Sequence, residues 1–352
     1  MNLTIKNLLI VVLLTLGSAT AITAADKSYC KKLAEMLCGK RSKEKEDPTQ
    51  DIAYHQVKQK PTTQCFTYDK IHVAIAEDIN QRPHMEDRHL IYTINPETDD
   101  KEQEVICAVF DGHGGSKTVD YVQQNFSQQF AKYKGIEPYT AFQATLQKID
   151  HDLKAPQLQI SGTTAVIAHI KNDQATIANV GDSRAILIRD NKVIAETSDH
   201  SLKNSKEIEK IEKAGGRIYK AVNGGMYVGS IFNAIAMSRS LGDWDVKKHA
   251  TGCGVVATPD IYTWPLQKND LLVLASDGIW DDIPNESVAK LIALTRQKNK
   301  QVNVTDLIKR AAETLNDVAQ KAGAEDNITT MIIHFDGSAK DDQPLLNIHI
   351  DN

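Results

Sequence analysis

The sequence predicts an α+β protein in which two antiparallel sheets are covered by pairs of helices. Short runs rich in β-branched and aromatic residues come in blocks: "IHVAIAEDI", "HLIYTI" and "EVICAVF", then "GTTAVIAHI", "QATIANVG", "RAILIRD" and "KVIAET". The dipeptides in "KND" and "DN" are tight-turn signals that make the second block an antiparallel meander. Helical patterns fall in adjacent pairs rather than between successive strands, which argues against a βαβ alternation.

Taken from the start, "MNLTIKNLLIVVLLTLGSATAITAADKS" has Lys6, an apolar run from Leu8 to Leu16 and "ATA" at 19–21. That is the outline of a secretory signal peptide cleaved between Ala21 and Ala25. An uncleaved anchor is the alternative, but the apolar core falls short of the roughly 20 residues that span a bilayer, and no stable membrane insertion is expected after cleavage. Export would place the five cysteines, Cys30, Cys38, Cys65, Cys107 and Cys253, in an oxidising space. Their odd number leaves at least one unpaired within the chain. If "KSYCKKLAEMLCGK" is one helix, Cys30 and Cys38 stand about 12 Å apart along it, too far to bridge directly. Pairing of either with Cys65 stays open, and Cys107 in "EVICAVF" reads as a buried small hydrophobe.

Residues 26–65 form a polar, charged extension broken by prolines. A domain at 66–337 follows, then a tail at 338–352 without a reading. Inside the domain a helix from about Ser116 places Val119, Val122, Phe126 and Phe130 on one face, and a second, "YTAFQATLQKIDHDLK", follows a break at Pro138. "NSKEIEKIEKAGG" is a charged helix with a solvated face, ended by Gly215 and Gly216. Glycine-containing sequence at about 204–233 is the candidate flap. "DLLVLASDG" is a buried strand, helices start near Asn285 and Val304, and "NITTMIIHF" is the last strand. With 41% hydrophobic and 25% charged residues the chain can bury a full core, and a net charge of −5 leaves no basic footprint. Nucleic acid is therefore not an expected partner.

The acids carry the functional signal. Glu86 and Asp87 stand before a strand, Asp111 after one, Asp182 in a turn, Asp277 and Asp281 at the end of the most apolar strand, and Asp326 before the last. Taken singly, each Asp-Gly is a turn. Together, at apolar strand ends with few local Lys or Arg, such carboxylates suit hard divalent cations, Mg²⁺ or Mn²⁺ above all. In "VFDGHGG" the glycines flanking Asp111 and His113 clear room for a close approach. No Cys/His spacing resembles a zinc site. Trp244, Trp264 and Trp280 read as packing residues, and His200 as a strand-to-flap junction.

The segments "RPHMEDR", "VFDGHGG", "SGTTAVIA", "ANVGDSRA", "TSDHSLKNSKEIEKIEKAGGRI", "AMSRSLGD", "VVATPDI", "LVLASDGIWD" and "AEDNITTMII", in this order over about residues 71–335, resemble the metal-dependent type 2C Ser/Thr protein phosphatases. The resemblance implies a four-layer α-β-β-α sandwich with a binuclear Mn²⁺ or Mg²⁺ centre between the sheets. It implies that Asp111 bridges both ions, that the Gly112 carbonyl ligates one, that Asp277 and Asp326 hold one, and that Glu86 and Asp87 act on the second, partly through water. Asp182 and Asp281 match positions that in relatives help bind a third, weaker ion. Arg82 matches the phosphate-binding Arg, and His113 the proposed general acid. Pro83 departs from many relatives without removing Arg82.

The implied reaction is hydrolysis of phosphoserine or phosphothreonine in proteins by a monomeric enzyme, and export suggests phosphoproteins of a host or neighbouring cell. The alternatives are an inactive relative that binds phosphoproteins, and a two-metal hydrolase of small phosphate esters. "NIT" at 327–329 is also a glycosylation sequon, and a glycan there would threaten Asp326.

Overall fold

The structure, a computed structural model, describes residues 61–94, 104–222, 224–230, 233–249, 253–337 and 348–350. Apart from 220–225 these belong to one compact unit. The signal peptide, Cys30, Cys38 and their pairing with Cys65, most of the extension, and residues 338–347 of the tail lie outside the described residues. Among those described, no helix is long and apolar enough to cross a membrane.

The principal strands are β1 (Thr62–Tyr68), β2 (Ile71–Asp78), β3 (Asp87–Ile94), β4 (Glu104–His113), β5 (Ala165–Lys171), β6 (Gln174–Val180), β7 (Arg184–Arg189), β8 (Lys192–Glu196), β9 (Asp260–Pro265), β10 (Leu271–Ala275) and β11 (Ile328–Phe335). The helices are α1 (Lys117–Ala131), α2 (Pro138–Asp152), α3 (Ser205–Lys213), α4 (Trp244–His249), α5 (Asp277–Trp280), α6 (Asn285–Lys298) and α7 (Val304–Ala322). One sheet runs β1-β2-β11-β10-β7-β8 and the other is built on β4-β5-β6-β9, with β3 also on β4. All of these pairings are antiparallel.

Period-two alternation explains the layers, because successive side chains of a strand face opposite ways. Val73 and Ile75 of β2 meet Val105, Cys107 and Val109 of β4 in the core between the sheets. Ala74 and Ala76 on the reverse of β2 pack beneath Ile308, Ala311 and Leu315 of α7. Likewise Ile106, Ala108 and Phe110 of β4 pack against Val119, Val122 and Phe126 of α1 and Phe142 of α2. Strands buried on both faces read as nearly unbroken apolar runs, and each large side chain so buried stabilises by about 1.5–3 kcal/mol. The result is the expected four-layer α-β-β-α sandwich.

Three local expectations are corrected. The meander is two hairpins in different sheets: β5–β6 belongs to one and β7–β8 to the other. Both turns have left-handed residues, Asn172 and Asp173 in the first, Asp190 and Asn191 in the second. Turn chemistry announces a hairpin but not the sheet it joins, and residues 181–183, with Asp182, make the crossing. Pro138 starts α2 rather than breaking before it, with Glu137 as the cap accepting from the Tyr139 and Thr140 amides. Glu207 of α3 is buried, 4% exposed, and pairs with Arg239 instead of facing solvent. Ile348–Ile350 pairs with β9, and β1 covers Thr62–Tyr68.

Candidate active site

The sheets bring most of the predicted acids to one end of the sandwich. Asp87 opens β3 directly across from Asp111 near the end of β4. Asp182 follows β6, Asp277 follows β10, and Asp326 precedes β11. Asp281, after α5, is exposed and faces Lys203 Nζ at 3.6 Å.

Electrostatics shows how closely these groups are coupled. Burial raises Asp87 to about 7 against the hydrogen bond from Ser276, with Asp326 and Glu77 adding repulsion. Asp111 is raised well above the usual carboxylate value by burial and then by Asp277, Asp87, Asp182 and Asp326. Asp277 is raised by burial and by Asp182, Asp326 and Asp281, while a hydrogen bond with Asp111 lowers it. Asp182 rises to about 6, chiefly through burial and Asp199. Such a cluster is unfavourable without a counter-charge.

Two buried oxygens, Asp182 Oδ1 and Asp277 Oδ1, have no hydrogen-bond partner. Oxygen donors with unmet acceptor capacity, among mutually repelling carboxylates, fit hard divalent cations. Among the described residues no three His, Cys, Asp or Glu side chains close around a single point. Mg²⁺-like ions keep several waters and need only one or two carboxylates, so an open set of this kind is compatible with them.

Backbone positions are tightly held. The Asp111 amide donates to Thr164 Oγ1 at 3.1 Å, while its carbonyl accepts from the Thr164 amide at 2.8 Å and Thr163 Oγ1 at 3.0 Å. These threonines fix the strand end that carries Asp111. Ser276 Oγ donates to Asp87 Oδ2 at 2.8 Å and accepts from the Thr329 amide at 3.0 Å, tying the two sheets together beneath the acids. Gly112 has a specific reason: a Cβ there would lie 2.6 Å from the Glu86 carbonyl oxygen and 2.9 Å from Val119 Cγ1. Gly112→Ala therefore pushes β4 away from residue 86; a loss of about 1–3 kcal/mol is expected in urea unfolding, together with weakened Mn²⁺ binding.

Glu86 is placed through its main chain, its amide donating to Asn327 Oδ1 at 2.7 Å and its carbonyl accepting from Gly112. Asn327 is 3% exposed and also donates to the Ile79 carbonyl. A glycan on this sequon is incompatible with the folded chain, because the amide is the clamp between the 79–86 segment and β11. Arg82 donates to Asp326 Oδ2, so the guanidinium stands at the rim already paired with a predicted ligand. His113 Nε2 bonds the Asp243 carboxylate at 2.9 Å. Burial works against the charged imidazolium, but the charge and hydrogen bond of Asp243, with Asp182 and Glu86 beyond, outweigh it and raise the His113 pKa.

Sequence reasoning missed Thr163, Thr164, Asp243, Ser276 and Asn327 as site residues. Ser276 and Asn327 adjoin Asp277 and Asp326, whereas Thr163, Thr164 and Asp243 lie in "SGTTAVIA" and "AMSRSLGD", segments without a predicted site residue, so that only their place in these motifs signalled them. His200 is buried, with Nδ1 accepting from the Gly181 amide, and Trp264 and Trp280 are buried packing groups.

A family model for protein phosphatase 2C matches residues 71–328. Protein phosphatase 1L of Bos taurus is 32% identical over 298 residues, 80% of this chain and 77% of its own length. The probable protein phosphatase 2C 52 of Oryza sativa is 32% identical over 261 residues, 72% of this chain, which spans about half (48%) of that relative. Among solved structures, a phosphatase from Toxoplasma gondii superposes with a TM-score of 0.66 at 22% identity, covering 83% of this chain and all (100%) of that one. A C. elegans sex determining protein gives 0.63 at 24% identity over 76% of this chain and 66% of its own. The structural likenesses show the shared fold, and the sequence matches show more: this chain belongs to the protein phosphatase 2C family, a family of protein serine/threonine phosphatases.

Proposed function

We propose that this chain hydrolyses phosphoserine and phosphothreonine in proteins, dependent on Mn²⁺ or Mg²⁺. The observation that carries the reading is the coupled cluster of Asp87, Asp111, Asp182 and Asp277 with its two unpartnered oxygens. Asp111, the Gly112 carbonyl, Asp277, Asp326, Asp87 and Glu86 would hold two ions, and Asp182 and Asp281 a weaker third. When bound, such ions activate water near neutral pH and neutralise phosphate charge.

The remaining work falls to this chain's own groups. Arg82 offers a guanidinium fork to the phosphoryl oxygens, exchanging Asp326 for substrate. His113, held by Asp243, delivers a proton to the departing serine or threonine oxygen. Water oxygen becomes bonded to phosphorus as the ester P–O bond breaks, and the products are the free hydroxyl and inorganic phosphate.

Export through residues 1–25 belongs to the same proposal and rests on Lys6, the Leu8–Leu16 run and the small residues after it. It implies phosphoprotein substrates outside the producing cell, in a host or neighbour, met by a monomer. Mass spectrometry of the exported protein is expected to find a new N-terminus between residues 22 and 26; an intact Met1 in a cytosolic product overturns this part.

For the activity, the chain from Asp26 onward is offered a phosphothreonine peptide with Mn²⁺, with chelator, and as Asp277→Ala. Turnover that needs the metal and vanishes in the variant is expected. A folded, Mn²⁺-binding protein without turnover overturns the enzyme reading in favour of a phosphoprotein-binding regulator. Turnover of nucleotides but not phosphopeptides points to a small-ester hydrolase.

A further inference from the structure

Asp243 is the acid that ends "AMSRSLGD". It is 1% exposed and takes a left-handed backbone, φ 51°, uncommon for a residue with a side chain. Three short strand segments put it there. Residues 112–113 of β4 pair with Gly162–Thr163, which pairs in turn with Leu241–Gly242, immediately before Asp243. The Asp243 amide donates to the Ser161 carbonyl at 3.0 Å, and its carbonyl accepts from the Lys247 amide at 2.9 Å.

The carboxylate then has one destination. Its two oxygens lie 3.0 and 2.9 Å from His113 Nε2. The nearby cation, Lys247, is committed to Asp150 and the Ser240 carbonyl. A Cβ on residue 162 would stand 2.1 Å from Asp243 Oδ2, so Gly162 leaves the space that the carboxylate fills. Backbone geometry, a missing side chain and a buried acid thus converge on one imidazole nitrogen.

We propose that Asp243 is the positioning residue of the reaction: by accepting from Nε2–H it fixes the His113 ring and makes Nδ1 the nitrogen that serves the leaving group. The inference rests on the phosphatase reading above. In the step it describes, the proton on Nδ1 passes to the serine or threonine oxygen as the P–O bond breaks. Nε2–H stays on Asp243, and the neutral ring regains its proton from water.

Leaving groups separate this role from a merely structural one. An alkoxide needs the proton, whereas p-nitrophenolate leaves as a stable anion. Since a placed general acid contributes about 10²–10⁴-fold, Asp243→Asn is expected to lower kcat on a phosphothreonine peptide by about 30- to 100-fold, with KM little changed. On p-nitrophenyl phosphate the loss should stay within about threefold, because the assistance itself is not needed. His113→Ala should show the same asymmetry, and the double variant should be no worse than His113→Ala alone. Independently of activity, ¹⁵N chemical shifts of His113 in the metal-free protein should report the Nε2–H tautomer at high pH and a mixture in Asp243→Asn.

Equal losses on both substrates, additive losses in the double variant, or an Nδ1–H tautomer in the wild type would overturn the proposal. The wild-type shifts decide the matter even if Asp243→Asn does not fold. A wild type inert toward both substrates defeats the phosphatase reading and this inference with it; an active wild type with symmetrical losses defeats this inference alone.

Discussion

Asp111→Asn is expected to lower phosphothreonine-peptide turnover by about a thousandfold while raising the melting temperature of the metal-free protein. The first effect follows from its place at the centre of the acids, opposite Asp87 and repelled by Asp277. Removing a charge expected to hold both ions forfeits several kcal/mol of stabilisation of the transition state, and about 4 kcal/mol is about a thousandfold. The second effect has the opposite sign because the same charge is a liability to folding. Burial and four neighbouring aspartates disfavour the ionised form of Asp111. Asparagine keeps the shape and the Thr164 contacts of the backbone and removes the repulsion. Each 1 kcal/mol so recovered raises the midpoint by about 2–4 °C in a domain of this size. Differential scanning fluorimetry in chelator, beside a turnover assay in Mn²⁺, checks both. A variant that is active, or inactive and less stable, would show that Asp111 is a structural acid.

That opposition explains which parts of the site the sequence displays. Charged side chains at the ends of apolar strands conflict with their surroundings, so Asp87, Asp111, Asp182, Asp277 and Asp326 are visible as exceptions to a local pattern. The supporting residues obey their local rules. Thr164 looks like a strand threonine, Asn327 like a residue leading into β11, and Asp243 like a turn, because their partners lie 53, 241 and 130 positions away. No window of the chain contains those pairings.

The fold divides along the same line. Hairpin turns and two-sided apolar strands are local, and β5–β6 and β7–β8 are both foreseen. Which sheet receives each hairpin depends on long-range pairing of β6 with β9 and β7 with β10. Hence the crossing at 181–183, which delivers Asp182, is not legible. Glu207 fails for a similar reason: its partner Arg239 is 32 residues on, and α3 alone looks amphiphilic with a charged outer face.

The stabilisation of the protein by Mn²⁺ or Mg²⁺ is expected to grow steeply with pH between about 5.5 and 8. Protons and cations compete for the same oxygens. Asp87 holds its proton to about 7 and Asp182 to about 6, while Asp111 and Asp277 are raised as well, all chiefly by burial. Because folded pKa values above the unfolded value mean that the native state binds the extra protons, these groups add stability at low pH. That contribution is lost as pH rises through about 6 and 7. The metal acts in reverse, since it must displace those protons. Below each pKa the affinity falls about tenfold per unit for each proton released.

At pH 8, metal at a hundred times its Kd stabilises by about 2.7 kcal/mol, or about 5–10 °C. At pH 5.5 the same concentration should shift the midpoint by less than about 2 °C. Taking the difference between metal and chelator at each pH cancels the contribution of histidines far from the acids, such as His334, which burial lowers to about 4, so that it stays neutral in the native state across this range while the unfolded chain titrates. Asp111→Asn should flatten the dependence, as one of the competing protons is gone. A metal-induced shift that is the same at pH 5.5 and pH 8 would mean that the ions bind elsewhere, and the coupled carboxylates would then be a stability cost without a ligand to justify it.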